Sequence, residues 1–347
     1  MRTSASAHEY YGRENMYASP SPSPSPHELY AEDTSLYYLH SVTVTDFATL
    51  SVVAFLLFLS LFSLFCIFHL RLKSRSSLHL RRFNKLWTVR LLLVVLVTSW
   101  AVTQIPRLPF IREPLTFSKQ ANICKFHVVL SLGFLEPGFL VTLLYLINVS
   151  IKQRDPSEKC SVFLVIVTSL PTLILQIMFL FFTPLKEQLP WVMTRTSLLS
   201  VDGFGNKRMI CTYPWISLFL FCAFAIMYSM GLLLACWRVV SLVINKTIRV
   251  RINMLGLTVM MALLVQTLFL GAESLWMPEN IGVSWVSFGV FLSVAVCAVV
   301  GEIVLVIKPI MEALETDKDY LNLDAKRPIP NAASVEGHCD GRLDSFS

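Results

Sequence analysis

One carboxylic acid stands in the middle of a long apolar stretch of the chain. Glu136 lies in the sequence Gly-Phe-Leu-Glu-Pro-Gly, about midway along residues 124–149. Ionisable groups are costly inside a membrane and usually mark functional sites there. Pro137 removes a backbone donor, which predicts a kink or loosened carbonyl groups at this point. Glu136 is therefore predicted to be a ligand counter-ion, a cation or proton site, a protonation switch, or a protonated acid hydrogen-bonded to a neighbouring helix.

Polar and aromatic side chains in four apolar stretches could complete a pocket above this carboxylate. They fall in the halves of those stretches that we assign below to the outer side of a membrane. We expect a pocket that opens outward with Glu136 at its floor. The alternative is that the glutamines only join helices, through hydrogen bonds that contribute about 0.6–2 kcal/mol. The candidate ligand-binding residues are Glu136, His127, Gln176, Gln266, Trp100 and Gln104.

Two cysteines lie on the side of the chain that the assigned topology exposes to an oxidising compartment. Cys124 begins the third apolar stretch, and Cys211 lies just before the fifth. Disulfides form in oxidising compartments, whereas a cysteine inside an apolar stretch behaves as a small apolar residue. We expect a Cys124–Cys211 disulfide that folds the loop 184–214 over the mouth of the bundle. Two unpaired thiols are the alternative.

Small residues recur at four-residue intervals in the seventh apolar stretch, which places them on one face of a helix. Such a stripe lets neighbouring helices approach closely, so we predict helix packing as its role. Glu302 follows the stripe near the predicted cytoplasmic end, where it could pair with Arg238 or another base of that side. The helix-packing residues are Gly289, Ser293, Cys297 and Gly301.

Several chemistries lack the residues that they need. A retinal-binding protein needs a lysine in the middle of the seventh stretch, and only Lys308, at its edge, is present. A zinc hydrolase needs clustered His and acidic ligands, but His127 is the one histidine well inside a stretch. No phosphate-cradling loop or nucleophile elbow occurs in the connections. We therefore expect neither an enzyme nor a bound metal or other cofactor.

Seven apolar stretches determine the predicted fold. The chain is 54% hydrophobic and 15% charged, well below the roughly 25% charged residues of soluble proteins. Each stretch has about the 20 residues that a helix needs to cross a bilayer. We predict an all-α, seven-transmembrane helix bundle in the lipid bilayer, with no role in binding nucleic acid. The stretches are residues 47–70, 86–105, 124–149, 161–182, 215–239, 252–271 and 283–307.

The placement of basic residues predicts the orientation of the bundle. Most of the 29 Lys and Arg residues lie in the connections after the first, third and fifth stretches and in the C-terminal tail. Cytoplasmic loops carry such an excess. The N-terminus is therefore predicted outside and the C-terminus in the cytoplasm, although Arg107, Arg112, Lys119 and Lys125 lie on the outer side. We expect the plasma membrane to be the location.

The two ends of the chain are predicted to be tails around a transmembrane domain at 47–308. Residues 1–46 are rich in tyrosine and contain an alternating Ser-Pro run at 19–26, which favours extended polyproline II and a disordered outer tail. The run is a glycan-bearing module, a set of phosphorylation sites or a plain spacer. In the cytoplasmic tail 309–347, Pro309 and the apolar residues after it predict a short amphipathic helix at the inner surface.

The chain resembles the G-protein-coupled receptors in its outline. Seven spans, an outer N-terminus, the pair Cys124 and Cys211, and a basic first loop carry this resemblance. With the Ser-Pro tail, the chain is most similar to the plant proteins labelled candidate G-protein-coupled receptors. The resemblance covers residues 47–308 and is mostly architectural. It implies a receptor for an unknown extracellular ligand that signals through the α subunit of a heterotrimeric G protein.

The internal motifs of rhodopsin-type receptors are missing. The third stretch ends in Leu-Ile-Asn-Val-Ser-Ile-Lys-Gln-Arg-Asp at 146–155, without the acid-Arg-aromatic triplet. The sixth has no Trp-x-Pro, and the seventh has no Asn-Pro-x-x-Tyr. An ion- or proton-coupled transporter or channel and a membrane scaffold are the alternative functions. If the chain is a receptor, the basic residues that would face the G protein are Arg71, Arg81, Arg82, Lys85, Arg154, Arg249 and Arg251.

Overall fold

The computed structural model describes residues 26–75, 80, 86–112, 114–152, 158–182, 190, 193, 195–201, 207–242, 246–275 and 282–326. Within these ranges seven helices are long and apolar enough to cross a membrane, which confirms the predicted number of spans. The first two helices are α1, Pro26–Lys73, and α2, Trp87–Gln104. A π-helical turn, Ser131–Leu135, divides α3 into Phe117–Leu130 and Glu136–Lys152. The next three are α4, Glu158–Phe181, α5, Trp215–Leu242, and α6, Lys246–Leu275. Finally, α7 consists of Gly282–Glu302, a π-helical turn Ile303–Ile307, and Lys308–Lys326.

The outer surface of the bundle is apolar, as lipid requires. Large side chains such as Phe58, Met227 and Trp237 are at least 70% exposed, and a water-soluble protein does not expose apolar patches of this extent. The helical backbone satisfies its own hydrogen bonds, which a segment in the hydrocarbon core must do. The chain is therefore a multi-pass membrane protein.

Helix α1 begins earlier than the sequence predicts. The predicted tail 1–46 is wrong for residues 26–46, which belong to α1. Pro26 is the last proline of the Ser-Pro run, and proline suits the first turn of a helix because its missing N–H would have no partner there. Residues 1–25, with the rest of the Ser-Pro run, lie outside the described residues.

Helices α3 to α7 are also longer than their apolar stretches. Helix α3 begins at Phe117 instead of residue 124, and α6 continues to Leu275 instead of residue 271. Helix α7 continues to Lys326, so the short helix predicted after Pro309 is a direct extension of the seventh helix. Polar residues occupy these extensions, so the length of an apolar stretch underestimates the length of the helix. Residues 327–347 lie outside the described residues.

Small residues allow the helices to approach each other closely. A β-carbon on Gly256 of α6 would lie 2.6 Å from Cys236 Sγ of α5. In α7, a β-carbon on Gly289 would lie 2.7 Å from the Phe269 ring of α6, and one on Gly301 would lie 2.9 Å from Leu143 of α3. At these separations a β-carbon would force the facing side chain to shift, so glycine permits the close packing seen here.

A two-stranded antiparallel hairpin lies between α4 and α5. Its strands are β1, Ser197–Val201, and β2, Lys207–Cys211, with Ser197 paired to Cys211. The prediction of an all-α fold missed this hairpin. Cys211, the last residue of β2, forms the predicted disulfide with Cys124 of α3, and their Cα atoms are 5.3 Å apart. We call the end of the bundle that carries this bond the disulfide end.

Two ion pairs hold the extension of α7 at the opposite end. Lys73, the last residue of α1, lies 2.8 Å from Asp317, and Arg251 near the start of α6 lies 2.5 Å from Glu312. These acidic residues therefore face basic side chains of the bundle. Arg71 lies over the Trp87 ring at 3.8 Å and joins α1 to α2 at the same end.

Candidate functional site

The carboxylate of Glu136 is the centre of a buried polar cluster. Its Oε1 accepts hydrogen bonds from Ser131 Oγ at 2.7 Å and from Trp100 Nε1 at 3.2 Å. Its Oε2 accepts one from Gln266 Nε2 at 2.6 Å. Glu136 is 4% exposed, and its three partners are also buried. We call these four residues the Glu136 cluster; it joins α2, α3 and α6 through a single carboxyl group.

The sequence around Pro137 explains the local backbone. Pro137 has no N–H to donate to the carbonyl of Gly133 four residues earlier. That carbonyl instead accepts a hydrogen bond from Thr172 Oγ1 of α4 at 2.8 Å. The helix widens into a π-helical turn directly before Glu136, whose N–H donates to the Ser131 carbonyl. The widened turn brings Ser131 and Glu136, five residues apart, into side-chain contact.

A stacked pair extends the Glu136 cluster to the seventh helix. The rings of Trp100 and Phe291 are 5.5 Å apart and nearly parallel. Phe291 and Trp100 are both buried in the apolar core. The indole of Trp100 is thus fixed on one side by Phe291 and at its N–H by the carboxylate and Ser131.

The structure separates the six candidate ligand-binding residues. Glu136, Trp100 and Gln266 are in direct contact. Gln104 is buried one turn beyond Trp100 on α2. Gln176 lies on the α4–α5 side, where its Oε1 accepts a hydrogen bond from Ser217 Oγ at 3.0 Å. His127 belongs to a second cluster, nearer the disulfide end.

The second cluster is built around Arg107, just beyond the end of α2. Arg107 donates to the Tyr213 hydroxyl at 3.0 Å and to Glu273 Oε1 of α6 at 3.4 Å, and it also donates to Ser287 Oγ of α7. The hydroxyl of Tyr213 lies 3.4 Å from His127 Nε2, and His127 Nδ1 lies 3.0 Å from the Thr103 carbonyl. A neutral imidazole that donates from Nδ1 and accepts at Nε2 satisfies both contacts. We call Arg107, His127, Tyr213, Glu273 and Ser287 the disulfide-end cluster.

The disulfide positions Tyr213. Cys211 is bonded to Cys124, and His127 follows Cys124 by one helical turn on the same face of α3. Tyr213, two residues after Cys211, therefore reaches into the bundle beside His127. Burial raises the pKa of the Tyr213 hydroxyl above its ordinary value, so this group is neutral and can donate a hydrogen bond to His127 Nε2.

Arg112 reinforces the same junction. Its NH1 group lies 3.1 Å from Cys211 Sγ and 3.5 Å from Cys124 Sγ, and it donates to the Met209 carbonyl at 3.2 Å. Burial, and to a smaller degree the nearby Arg107, lower the pKa of the Arg112 guanidinium to about 10. The side chain therefore stays charged at pH 7.

Sequence reasoning missed most of this second cluster. Arg107, Tyr213 and Glu273 each lie just outside an apolar stretch, so the sequence places them in loops. The sequence contains one indication of the role of Arg107. It is a basic residue on the predicted outer side, whereas most basic residues lie on the predicted cytoplasmic side. A basic residue on the wrong side is easier to explain if it is paired inside the protein.

Near the opposite end, a further buried carboxylate, that of Glu302, has different partners from those expected. The predicted pairing of Glu302 with Arg238 or another base is wrong. Glu302 Oε1 accepts from Ser60 Oγ at 2.8 Å, and Oε2 accepts from Ser63 Oγ at 3.0 Å, both on α1. Ser293 and Cys297, two small residues of the stripe that precedes Glu302 on α7, are also buried.

The basic residues of the same end differ in their surroundings. Arg71 and Arg251 have the contacts described above, and Arg249 is half-buried at the start of α6. Arg81, Arg82, Lys85 and Arg154 lie outside the described residues.

The side chains of these clusters can form hydrogen bonds and can bind or release protons. The described ranges contain no group of three His, Cys, Asp or Glu side chains that could hold a metal ion. The Ser131 hydroxyl can rotate and the Gln266 amide can turn over, so the Glu136 carboxyl group can keep partners with or without a proton. The Glu136 cluster can therefore change protonation without losing its connection between α3 and α6.

Comparison with known proteins identifies a family for the chain. No curated protein matches the sequence. One family model, described as "Uncharacterised conserved protein UCP031277", matches residues 39–321. The match runs from the first part of α1 to the extension of α7 and includes both polar clusters. The chain therefore belongs to the family of uncharacterised conserved proteins UCP031277.

Proposed function

We propose that this chain is a receptor-like membrane protein that senses an extracellular ligand at its disulfide end. The observation that carries this proposal is the contact of a loop residue with several helices at once. Tyr213, tethered by the disulfide, contacts Arg107, which also contacts Glu273 of α6 and Ser287 of α7. A ligand that displaces the loop would therefore alter the packing of α6 and α7. Such coupling needs two packings that the ligand binds with different affinity.

The proposed orientation puts the disulfide end outside the cell and the basic end in the cytoplasm. The first connection, with Arg71, Arg75, Arg81, Arg82 and Lys85, is the most basic of the chain, and basic loops stay on the cytoplasmic side. A disulfide at the other end fits an oxidising exterior. The plasma membrane is the location that we propose on the same grounds.

The proposed partner is the α subunit of a heterotrimeric G protein. The resemblance to the plant candidate G-protein-coupled receptors supports this partner. The basic residues of the cytoplasmic end, among them Arg249 and Arg251 at the start of α6, would offer it a positively charged surface. Because Arg251 pairs with Glu312 of the α7 extension, binding at this surface would be coupled to the position of α6.

A proton-coupled transporter is the second candidate function. It is favoured by the surroundings of Glu136, whose three hydrogen-bond donors are all neutral side chains. A buried carboxylate with neutral partners can bind and release a proton more readily than one held in a salt bridge. The π-helical turn beside it is a feature that is frequent at functional sites.

A direct binding measurement tests the receptor proposal. The protein in lipid nanodiscs is titrated with a purified G-protein α subunit in its GDP-bound and GTP-bound states. We expect saturable binding that depends on the nucleotide and is lost in the double variant Arg249→Glu/Arg251→Glu. The matched control is Lys119→Glu/Arg195→Glu at the disulfide end, which should bind normally.

The transporter proposal has a separate readout. Proton-dependent flux in liposomes that is abolished by Glu136→Gln would favour transport. Failure of the α subunit to bind in either nucleotide state would contradict the receptor proposal, whatever the flux measurement shows.

A further inference from the structure

One face of the α7 extension, the segment Lys308–Lys326, is buried against the bundle. Ile310, Ala313 and Asp317 are buried, and Leu314 packs against the same core. The spacing of these four residues places them on one side of a helix. The α7 extension is therefore an amphipathic helix that is docked on the bundle, with a carboxylate at the end of its apolar face.

Two basic side chains of the bundle face this helix. Lys73 at the end of α1 lies 2.8 Å from Asp317, and Arg251 near the start of α6 lies 2.5 Å from Glu312. The side chains of Lys73 and Arg251 are 27% and 30% exposed, so solvent reaches both cations beside the docked helix. Two carboxylates of one helix, five residues apart, thus pair with cations on two different helices.

The surface under the α7 extension combines positive charge with apolar side chains. Leu70 lies three residues before Lys73 on α1, and Ile252 directly follows Arg251 on α6. Both apolar residues are buried in the same core as Ile310. We call Lys73, Arg251, Leu70 and Ile252 the docking surface. An anionic lipid headgroup would pair with the cations but leave the apolar residues uncovered, whereas a helix with carboxylates beside an apolar face satisfies both.

The backbone directly before the α7 extension can bend. Ile303–Ile307 is a π-helical turn, and Pro309 has no N–H to donate to the Leu305 carbonyl. Sharp kinks in helices occur at proline and at π-helical turns. On the other side of this turn, Glu302 is bound to two serines of α1. The α7 extension can therefore change its direction while the membrane-spanning part of α7 stays in the bundle.

The ion pairs that hold the α7 extension can be exchanged for those of another helix. Both cations are partly exposed, and such pairs contribute little to stability because water competes for the charges. The α7 extension still has an advantage over a free helix, since its attachment gives it a high effective concentration at the docking surface. The surface is therefore closed without a competitor, and a competing acidic helix can open it.

We propose that the docking surface binds an acidic amphipathic helix of a partner protein, and that the α7 extension closes this surface until the partner displaces it. The partner helix would carry carboxylates beside an apolar face, as the α7 extension does. This inference rests on the proposed function in taking this end of the bundle as the partner-binding end, but its test contains no G protein.

Hydrogen exchange measured by mass spectrometry tests the closed state. The full-length protein in nanodiscs of a zwitterionic lipid is compared with Glu312→Lys/Asp317→Lys, which places like charges opposite the two cations. We expect the backbone amides of residues 308–326 to exchange at least about tenfold faster in this variant, because a short helix without support is only marginally stable in water. The matched control, Glu315→Lys/Asp319→Lys, makes the same charge change at two exposed positions of the same helix and should exchange like the wild type.

A peptide with the sequence of residues 308–326 probes the docking surface itself. The fluorescein-labelled peptide is titrated against the same three proteins, and its anisotropy is measured. We expect saturable binding to Glu312→Lys/Asp317→Lys, with an apparent affinity at least about tenfold higher than for the wild type or for Glu315→Lys/Asp319→Lys. The two variants have equal net charge, so a general attraction of the acidic peptide would not distinguish them.

A charge exchange shows whether the two ion pairs themselves close the surface. Lys73→Glu/Arg251→Glu, combined with Glu312→Lys/Asp317→Lys, reverses the sign of both pairs and should restore slow exchange in residues 308–326. It should also abolish binding of the peptide. Recovery in this variant would show that the charge-reversed extension still folds and docks.

The proposal is overturned if residues 308–326 exchange equally fast in the wild type and in Glu312→Lys/Asp317→Lys. It is also overturned if the peptide binds these two proteins equally or binds neither. Binding of the peptide to the variant alone, without binding of the α subunit to either protein, would leave the docking surface standing and contradict the receptor proposal. The reverse result would contradict the closed docking surface alone.

Discussion

A carboxylate can lie in the middle of this bundle because its hydrogen bonds are supplied by three neighbouring elements. Glu136 receives donors from Trp100 of α2, Ser131 of the π-helical turn and Gln266 of α6. Without them, an ionised group at this depth would be strongly unfavourable. The same three contacts make Glu136 the residue through which α2, α3 and α6 are joined. The effect of a substitution on the free energy of unfolding should therefore depend on the shape and the polarity of the new side chain.

We expect Glu136→Gln to be tolerated and Glu136→Leu to be strongly destabilising. Glutamine keeps an acceptor for Trp100 and Ser131, and Gln266 can turn its amide to accept from the new N–H. Leucine removes the acceptor of the Gln266 amide and of the Ser131 hydroxyl, at about 1–3 kcal/mol for each donor left unpaired. The Trp100 N–H keeps Ser131 Oγ as its acceptor. Thermal unfolding in nanodiscs measures the difference, with Gln266→Leu as an intermediate case. Equal losses for glutamine and leucine would mean that the carboxyl group contributes charge rather than hydrogen bonds.

The sequence predicts the Glu136 cluster better than the disulfide-end cluster. A polar residue inside an apolar stretch is conspicuous, which is how Glu136, Trp100 and Gln266 were selected as candidates. Arg107 and Glu273 lie beyond the apolar stretches, and there a charged residue normally contacts water. Only the three-dimensional packing brings them together, because the loop that carries Tyr213 is positioned by a disulfide to a helix 87 residues earlier.

At the scale of elements, each of the two π-helical turns adjoins a buried carboxylate. Ser131–Leu135 directly precedes Glu136, and Ile303–Ile307 directly follows Glu302. Pro137 explains the first turn, since it cannot donate its missing N–H. Pro309 explains the second in the same way, since it follows the end of that turn by two residues, as Pro137 follows the end of the first, and has no N–H to donate to the Leu305 carbonyl. Apolar periodicity predicts that these segments are helical, but it does not distinguish an α-helical turn from a π-helical one.

Close packing between α5 and α6 leads to a prediction for two glycines of the same helix. In Gly256→Ala the new β-carbon would lie 2.6 Å from Cys236 Sγ, whereas nothing lies within 4 Å of one at Gly271. We expect Gly256→Ala to lose about 1–3 kcal/mol through overpacking. Gly271→Ala should be neutral or stabilising by up to about 1 kcal/mol, because alanine favours helix. Adding Cys236→Ala to Gly256→Ala should restore most of the loss in a thermal unfolding assay; no restoration would place the clash elsewhere.

The link between the hairpin and α3 leads to a prediction for reducing conditions. Reduction of Cys124–Cys211 should lower the stability of the protein by about 2–4 kcal/mol, since the bond restricts a long segment of the unfolded chain. The double variant Cys124→Ser/Cys211→Ser should unfold at the same temperature with and without dithiothreitol. A shift in that variant would mean that the reductant acts on another disulfide, whereas Cys66, Cys222, Cys236 and Cys297 are free among the described residues.

At the scale of the whole molecule, the two ends of the bundle are built differently. The disulfide end is held by a covalent bond and a buried cluster, whereas the opposite end is held by ion pairs that solvent partly reaches. Exposed ion pairs contribute only about 0–1 kcal/mol each. The disulfide end should therefore be the more rigid one, and the opposite end the one where helices can separate. A protein that receives a signal at one end and changes shape at the other needs this asymmetry.

The orientation of the molecule is the last prediction, and it follows from charge. We expect an epitope tag at the N-terminus to be accessible on intact cells, and one at the C-terminus only after permeabilisation, because the first connection is strongly basic. Replacing Arg75, Arg81, Arg82 and Lys85 by glutamine should place a fraction of the molecules in the reverse orientation, while Lys73 keeps its pair with Asp317. The matched control, Lys119→Gln/Arg195→Gln at the disulfide end, should leave the orientation unchanged or strengthen it. An accessible C-terminal tag on intact wild-type cells would reverse the assignment, and with it the side on which the ligand site of the proposed receptor opens.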